Sequence, residues 1–344
     1  MKRLLVLGLL LMAACAPVSA GPATLTVMTH DSFSASESVV QAFEESNNAK
    51  IAFLKSGDTG AALNKAILSI NSPLADVFYG VDNTFLARAL EAGIFEAYAS
   101  PALADIPAEF QLDPSHRALP VDYGDVCINY DKSYFASRDL AVPQTLEDLV
   151  RSEYQGLLVV ENPATSSPGL AFLLATVKHF GDPGYLDYWR DLRLNGVVTV
   201  DGWETAYYTN FSGSSGKGPQ PMAVSYATSP AAEVIFAEAP LTDAPTASIT
   251  GPDTCFRQIE FVGILKGAKQ PDLARRFVDF MLDREFQADV PDQMFVYPVL
   301  RGVTLPDPFV QYAQVPAQPA TLAPDEIALH RDLWIRAWTD VVLH

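Results

Sequence analysis

Short apolar runs and longer stretches of helical spacing follow one another along the first third of this chain. Residues 24–28, 51–54 and 75–80 are mainly apolar or β-branched, which is typical of buried strands. Apolar positions at helical intervals follow, such as Val39 and Phe43 after the first run. This β-α-β-α-β-α order predicts an α/β lobe in which a mainly parallel sheet is flanked by helices.

Two of these helices have recognisable start signals. Ser34 and Glu37 fit a capping box for the first helix, and the polar turn at residues 56–60 fits the start of the second. Ligands bind beyond the carboxyl ends of the strands in such sheets. The loops that follow the strands are therefore the first places to look for a site.

Two long extended segments, residues 118–130 and 254–265, enclose a second α/β block. We expect the chain to leave its first lobe at about residue 124 and to return at about residue 257. We predict that lobe 1 comprises residues 21–124 plus 257–300, and that lobe 2 comprises residues 125–256 plus 301–344. Two such lobes joined by two hinge strands would close around a ligand.

The second block contains the same device twice, a strand followed by a hydroxyl-rich turn with Ser-Pro. Ser167 and Ser229 are expected to cap helices, with Pro168 and Pro230 at the first helical positions. Free amide groups and the helix dipole would then face a ligand, and a phosphate would suit them. The alternative is an ordinary strand-to-helix turn without a ligand.

The N-terminal residues 1–20 read as an export signal, with a basic start, an apolar run and small residues after it. Cys15 follows two alanines as in a lipobox, which would make it the lipidated first residue of the mature chain. Cleavage after Ala20 is the alternative and would release a soluble protein. Both routes export the protein, and we favour the lipid anchor.

Composition supports a two-lobed exported protein. About 320 residues remain after the signal, enough for two lobes with separate cores. The formal net charge of −18 argues against nucleic acid or an anionic membrane as a partner. Cys127 and Cys255 are expected to form a disulfide in an oxidising compartment, and two buried thiols are the alternative.

The side chains point to binding rather than catalysis. None of the five histidines has the spacing of a metal site, and no nucleophile elbow or nucleotide-binding fingerprint occurs. No cofactor and no metal are therefore expected. Aromatic faces hold delocalised cations, and Asp58 could pair with one. A ligand with a cationic heteroaromatic part and a phosphate would use all these groups.

Several segments together resemble the periplasmic thiamine-binding proteins of thiamine ABC importers, which are type II extracellular solute-binding proteins. The likeness extends over nearly the whole mature chain and includes the tryptophan helix near the C-terminus. The resemblance is carried by residues 29–33, 75–77, 121–124, 165–170, 202–207, 225–230 and 297–298. The resemblance implies the two-lobed periplasmic-binding-protein-like fold, an exported monomer and delivery of its ligand to an ABC permease with an ATPase subunit.

The resemblance also implies a ligand, thiamine or a thiamine phosphate, and a set of contacts. By matched position, the ligand-binding residues would be these: His30, Asp58, Thr59, Ser166, Ser167, Trp203, Tyr226, Ala227, Thr228, Ser229, Pro230 and Phe295. Asp58 would lie near the heterocycles and Trp203 would pack on them. Taken from residue type alone, Trp203 could be a core aromatic and Asp58 a helix cap.

Three features depart from the family pattern. Ala232 stands where better-known members have a Tyr, Phe295 where they have a Trp, and His30 where a Tyr can occur. Trp334 and Trp338 are assigned to packing rather than to the ligand.

Two rival functions use other residues. Tyr207 and Tyr208 form a pair like the one that holds ferric ion in a related class of binding proteins. Neighbours on a helix point about 100° apart, so both could reach one ion only where the helix is broken. An exported hydrolase is the third possibility, although no nucleophile and base can be identified for it.

Overall fold

The computed structural model describes residues 21–214 and 217–344. The predicted export signal, including Cys15, lies outside the described residues, as do two positions of the Gly/Ser-rich loop at residues 212–219. Within the described ranges, no helix is both long and apolar enough to cross a membrane.

The strands of the described chain form one mixed sheet. Their bounds are β1 (Ala23–Thr29), β2 (Ala49–Lys55), β3 (Val77–Asp82), β4 (Phe95–Glu96), β5 (Leu119–Asp131), β6 (Leu158–Glu161), β7 (Val198–Val200), β8 (Met222–Tyr226), β9 (Thr246–Ile249), β10 (Phe256–Leu265) and β11 (Tyr297–Pro298). The main path through the sheet runs β2-β1-β3-β10-β5-β8-β6-β7, with the three short strands β4, β9 and β11 paired to β5 or β10.

Helices cover this sheet. They are α1 (Glu37–Asn47), α2 (Thr59–Leu68), α3 (Leu86–Ala92), α4 (Lys132–Ser137), α5 (Ser167–Phe180), α6 (Gly184–Leu194), α7 (Ser229–Ile235), α8 (Pro271–Met281), α9 (Arg284–Gln293), α10 (Asp307–Tyr312) and α11 (Pro324–Val342). A π-helix spans Thr205–Asn210, and short 3₁₀ turns span Pro101–Asp105, Ala108–Phe110, Glu147–Val150 and Ser152–Tyr154.

The sheet consists of two parallel blocks joined by two antiparallel strands. β1 pairs in parallel with β2 and β3, and β6 pairs in parallel with β7 and β8. Between the blocks, β10 and β5 pair antiparallel with each other. β10 also pairs antiparallel with β3, and β5 pairs antiparallel with β8. The predicted α/β fold class, with two long strands linking two parallel blocks, is confirmed.

The predicted capping box at the start of α1 is wrong. α1 begins after Ser36, and no side chain caps it. The Ser34 hydroxyl instead donates to Gln293 Oε1 at 3.0 Å, and the Ser36 hydroxyl donates to Asp289 Oδ1 at 2.7 Å. Both acceptors lie on α9, so tertiary partners take the hydroxyls that a local cap would have used.

Both predicted serine caps are displaced by one position or more. Ser166, not Ser167, precedes α5, and its hydroxyl accepts a weak hydrogen bond from the Gly169 amide at 3.5 Å. Thr228 precedes α7 without a side-chain cap, while Ser229 Oγ lies 2.9 Å from Ser225 Oγ. The prolines still fall in the first turn, where their missing N–H has no intrahelical partner.

The C-terminal tryptophans pack as predicted. Trp338 is fully buried, and its ring meets Trp189 of α6 edge-on, with centroids 5.5 Å apart. The Trp334 indole donates to Asp182 Oδ2 at 3.2 Å. Helix α11 therefore packs against α6 and α3, and its tryptophans stabilise this packing rather than contact a ligand.

The predicted disulfide between Cys127 and Cys255 is present. Cys127 lies in β5, Cys255 directly precedes β10, and their Cα atoms are 4.2 Å apart. Both residues are fully buried, and the only other hydrophobic residue in their cluster is Ala227. The bond therefore joins the two long strands covalently beside their backbone pairing.

We expect Cys127→Ala/Cys255→Ala to lower the free energy of unfolding by about 2–5 kcal/mol, because the bond closes a loop with a sequence separation of 128 residues. Urea unfolding followed by circular dichroism measures the loss. Wild-type protein unfolded with a reductant serves as the control and should match the double variant. An unchanged unfolding midpoint would show that the cross-link contributes nothing to stability.

Candidate functional site

A cavity of about 230 Å³ lies where the loops after several strands face one another. His30 follows β1, Asp58 follows β2, Ser167 follows β6 and Trp203 follows β7. These are the carboxyl ends of parallel strands from both blocks of the sheet, as the fold class predicts.

Eight of the predicted ligand residues line this cavity: His30, Asp58, Thr59, Ser167, Trp203, Tyr226, Ser229 and Phe295. The remaining four are buried beneath it: Ser166, Ala227, Thr228 and Pro230. Ser166 sits at the cap position of α5, and Ala227 packs beside the disulfide. These four residues do not line the cavity, and Ser166 reaches it only through its hydrogen bond to the Asp58 carboxylate.

Asp58 links two parts of the chain through its carboxylate. Oδ1 accepts from the Thr59 amide at 2.7 Å, and Oδ2 accepts from the Trp203 amide at 3.0 Å. A β-carbon on Gly202 would approach Oδ2 to 3.3 Å, so the turn fits closely around the acid. Burial raises the pKa of Asp58, although both amides act in the opposite direction. Asp58 is thus a helix cap and also part of the cavity wall.

Trp203 presents a fixed aromatic surface. Its indole donates to Ser225 Oγ at 2.9 Å, and its ring stacks on Tyr207 with centroids 5.1 Å apart and planes at 14°. Tyr208 and Tyr226 meet the same indole edge-on. Trp203 is therefore not a simple core residue, because partners hold it while its ring still lines the cavity.

An acidic group occupies the hinge side of the cavity. Glu260 of β10 lies 3.6 Å from His30 Nε2 and 2.9 Å from the Tyr79 hydroxyl, which is also 2.5 Å from Asp122. Burial and then the Glu260 charge raise the pKa of Asp122 well above its usual range, which favours the neutral form of Asp122. Burial alone would lower the pKa of His30, but Glu260 outweighs it and raises that pKa.

The Gln258 side chain forms hydrogen bonds to residues from three different parts of the site. Its amide oxygen accepts from the Tyr226 hydroxyl at 2.6 Å, and its amide nitrogen donates to Ser167 Oγ at 2.9 Å and to Asp82. Burial raises the pKa of Asp82 to about 7, although the hydrogen bond from Thr84 opposes this shift. The network holds the turns after β6 and β8 against a hinge strand.

Glu161 is a further buried acid near the site. It ends β6, is almost fully buried, and neither carboxylate oxygen has a hydrogen-bond partner among the described residues. Burial and then the Asp58 charge raise its pKa well above the usual range, which favours its neutral form. Gly169 packs directly on it, since a β-carbon there would meet the Glu161 carbonyl oxygen at 2.5 Å.

Sequence reasoning missed several lining residues: Glu204, Phe236, Glu260, Gln293 and Met294. One signal was available, because Gln258 and Glu260 lie two positions apart, on one face of the mainly apolar strand β10. No local signal marks Phe236 or Met294, since only the packing of α7 and α9 brings them to the cavity.

Known proteins are similar to this chain over most of its length. Residues 72–321 match the family model described as bacterial extracellular solute-binding protein. A thiamine-binding periplasmic protein of Escherichia coli (strain K12) is 32% identical over 338 residues, which is 97% of each chain. A solved periplasmic thiamin binding protein is 30% identical, with a TM-score of 0.82 over 93% of this chain and 96% of that chain.

More distant structures share the fold alone. A ferric binding protein from Campylobacter jejuni is 20% identical, with a TM-score of 0.73 over 92% of this chain and 99% of that chain. This likeness carries no information about the ligand.

The raised pKa of Asp82 predicts a loss of stability with rising pH. The folded pKa is about 7 and the unfolded value about 3.9, so the native state holds this proton more tightly. The contribution of this proton to the free energy of unfolding is complete below about pH 4. It is lost as the pH rises through 7, and the total loss is up to about 4 kcal/mol. Urea unfolding at several pH values should show that Asp82→Asn, whose side chain stays neutral, removes this part of the slope.

The exposed Asp105→Asn variant is the matched control for that experiment and should keep the wild-type slope. Equal slopes for Asp82→Asn and wild type would show that the pKa of Asp82 does not differ between the folded and unfolded states.

Proposed function

This chain belongs to the bacterial extracellular solute-binding proteins, a family of binding proteins rather than enzymes, and we propose from that premise that it captures thiamine for an ABC importer. The names of its relatives support thiamine as the ligand. The observation that carries the proposal is that Trp203 and Asp58 line the same cavity, where the Trp203 backbone amide donates to the Asp58 carboxylate.

The charges around the cavity favour a cation. Asp58, Glu204 and Glu260 line it, whereas no Lys or Arg does so in the described part of the chain. Thiamine carries a permanent positive charge on its thiazolium ring and a second, amino-substituted aromatic ring. An indole face and a buried carboxylate attract such a cation by cation–π and charge interactions, which strengthen as water is excluded.

Roles for the lining residues follow from their partners. Asp58 accepts from the ligand's amino group or pairs with its charge, and Trp203 packs on a ring. Ser167 and Ser229 face the polar end, either an alcohol or a phosphate. The Thr59 hydroxyl already donates to the Gly80 carbonyl oxygen at 3.0 Å, so Thr59 serves mainly to position the start of α2.

Closure of two lobes is the proposed capture step. Lobe 1 is residues 21–124 plus 257–300, lobe 2 is residues 125–256 plus 301–344, and β5 and β10 form the hinge. Contacts across the cleft favour this division, because the Gly60 and Ala61 amides donate to the Thr165 carbonyl oxygen at 3.0 and 3.3 Å. A β-carbon on Gly60 would meet the Ala164 carbonyl oxygen at 2.7 Å, so this approach requires glycine.

The setting follows from the same premise. We propose that the protein is exported, as a monomer free in the periplasm or held by a lipid at Cys15. The closed form then delivers its ligand to a permease whose ATPase subunit drives import.

Ferric ion is the weaker alternative. Tyr207 and Tyr208 both line the cavity, on the π-helix that replaces a regular helix there. However, Tyr207 is buried under Trp203, and the two tyrosine rings are nearly perpendicular, at 88°. Burial and then the Glu233 charge raise the pKa of Tyr207 well above its usual range, which opposes the tyrosinate that iron requires.

We expect protein beginning at residue 21, stripped of ligand by unfolding and refolding, to bind thiamine with a Kd at or below about 1 µM. Asp58→Asn keeps a good helix cap but removes the charge, and should weaken binding about 10–100-fold. Trp203→Ala should weaken it at least as much. Isothermal titration calorimetry measures all three, and thiamine monophosphate tests whether Ser167 also receives a phosphate.

Trp334→Phe is the matched control, because this tryptophan packs between α11 and Asp182, away from the cavity. It should bind as the wild type does. No heat with either compound would eliminate the thiamine proposal, and a purple colour on adding ferric ion that is lost in Tyr208→Phe would establish the iron alternative.

A further inference from the structure

Two phenylalanines meet at the open end of the cavity. Phe236 directly follows α7, and Phe295 lies between α9 and β11. Both line the cavity, and their ring centroids are 4.8 Å apart with planes at 72°, an edge-to-face contact. Phe236 is nevertheless 62% exposed, which places it at the solvent end of the site.

Phe295 is held firmly in an unusual conformation. Its φ of +55° lies in the left-handed region, which bulky side chains avoid. Its neighbours fix it there, because the Met294 amide donates to the Val290 carbonyl oxygen at 2.8 Å and Gln293 accepts from the Ser34 hydroxyl at 3.0 Å. Strain of this kind persists only where the surroundings impose it, and it concentrates at functional sites.

Phe236 is held loosely by comparison. It ends a helix of seven residues, and residues 238–243 after it are all exposed. Ala232 lies one turn earlier on the same face of α7 and presents only a methyl group to the cavity. Because Ala232 is small, the bulky apolar side chain that α7 and the residue after it bring to this part of the lining is Phe236.

We propose that Phe236 and Phe295 form an aromatic gate, and that an aromatic ring of the bound ligand occupies the space beside Ala232 beneath it. Phe295 is the fixed side chain of the gate and Phe236 the mobile one. The movement of Phe236 therefore determines the dissociation rate of the ligand. This inference rests on the proposed function, because thiamine supplies the ring that the gate covers.

Stopped-flow tryptophan fluorescence of the mature protein with thiamine gives the association and dissociation rates separately. Phe236→Ala should raise the dissociation rate about 10-fold or more and change the association rate by less than about 3-fold, because interface losses act mainly on release. Phe236→Tyr keeps the aromatic edge and should stay within about 3-fold of wild type. Leu241→Ala is the matched control, since Leu241 is also apolar and 42% exposed after α7 but does not line the cavity.

Phe295→Gly separates a gate from simple packing. Glycine adopts the left-handed conformation without strain, so the thermal midpoint should not fall, whereas thiamine release should accelerate as in Phe236→Ala. The double variant should release thiamine no faster than about 3-fold above the faster single variant, because the two rings act as one unit.

The outcomes distinguish the gate from the proposed function. Normal thiamine binding by the wild type, with wild-type release in Phe236→Ala, would overturn the gate and leave the proposed function standing. Additive effects in the double variant would also overturn it. A wild type that binds no thiamine would overturn both proposals.

Discussion

The antiparallel pairing of β5 with β10 is the constraint on which the rest of this structure depends. It extends from Val126 opposite Phe256 to Leu119 opposite Val262, and a disulfide joins the strands at one end. Each strand also pairs with a parallel block, β10 with β3 and β5 with β8. The two blocks are therefore held at the same hinge, and the carboxyl ends of their strands face one another across a single cavity.

The cavity is costly to build, because it concentrates acids in a place with little water. Burying an unpaired charge is so unfavourable that the group neutralises instead. The site shows both solutions. Burial favours the neutral forms of Asp122 and Glu161, whereas the Asp58 carboxylate accepts hydrogen bonds from the Thr59 and Trp203 amides. The acids thus differ in how the fold stabilises them, and a cationic ligand would meet carboxylates that are already held in place.

Aromatic side chains give the same cavity its shape. Trp203 is fixed by Tyr207 beneath it and by its hydrogen bond to Ser225, so one wall is rigid. At the open end, Phe236 is exposed and lightly packed, whereas Phe295 is held by its neighbours. A binding protein needs both properties, since a preorganised wall saves entropy when the ligand binds and a movable edge lets the ligand leave.

Periodicity and turn chemistry in the sequence by themselves determined the fold class, the two long strands and most of the elements around them, because these depend on local spacing. They also brought Asp58 and Ser167 to notice as turn residues after strands, whereas His30 and Trp203 were indicated by the family resemblance. Only the tertiary structure decided which hydroxyls cap helices, because partners such as Gln293 and Gln258 compete for them. It also decided which residues of the turn after β8 face the cavity, and it alone brought Phe236 to Phe295, since contacts between distant segments leave no periodic trace in the chain.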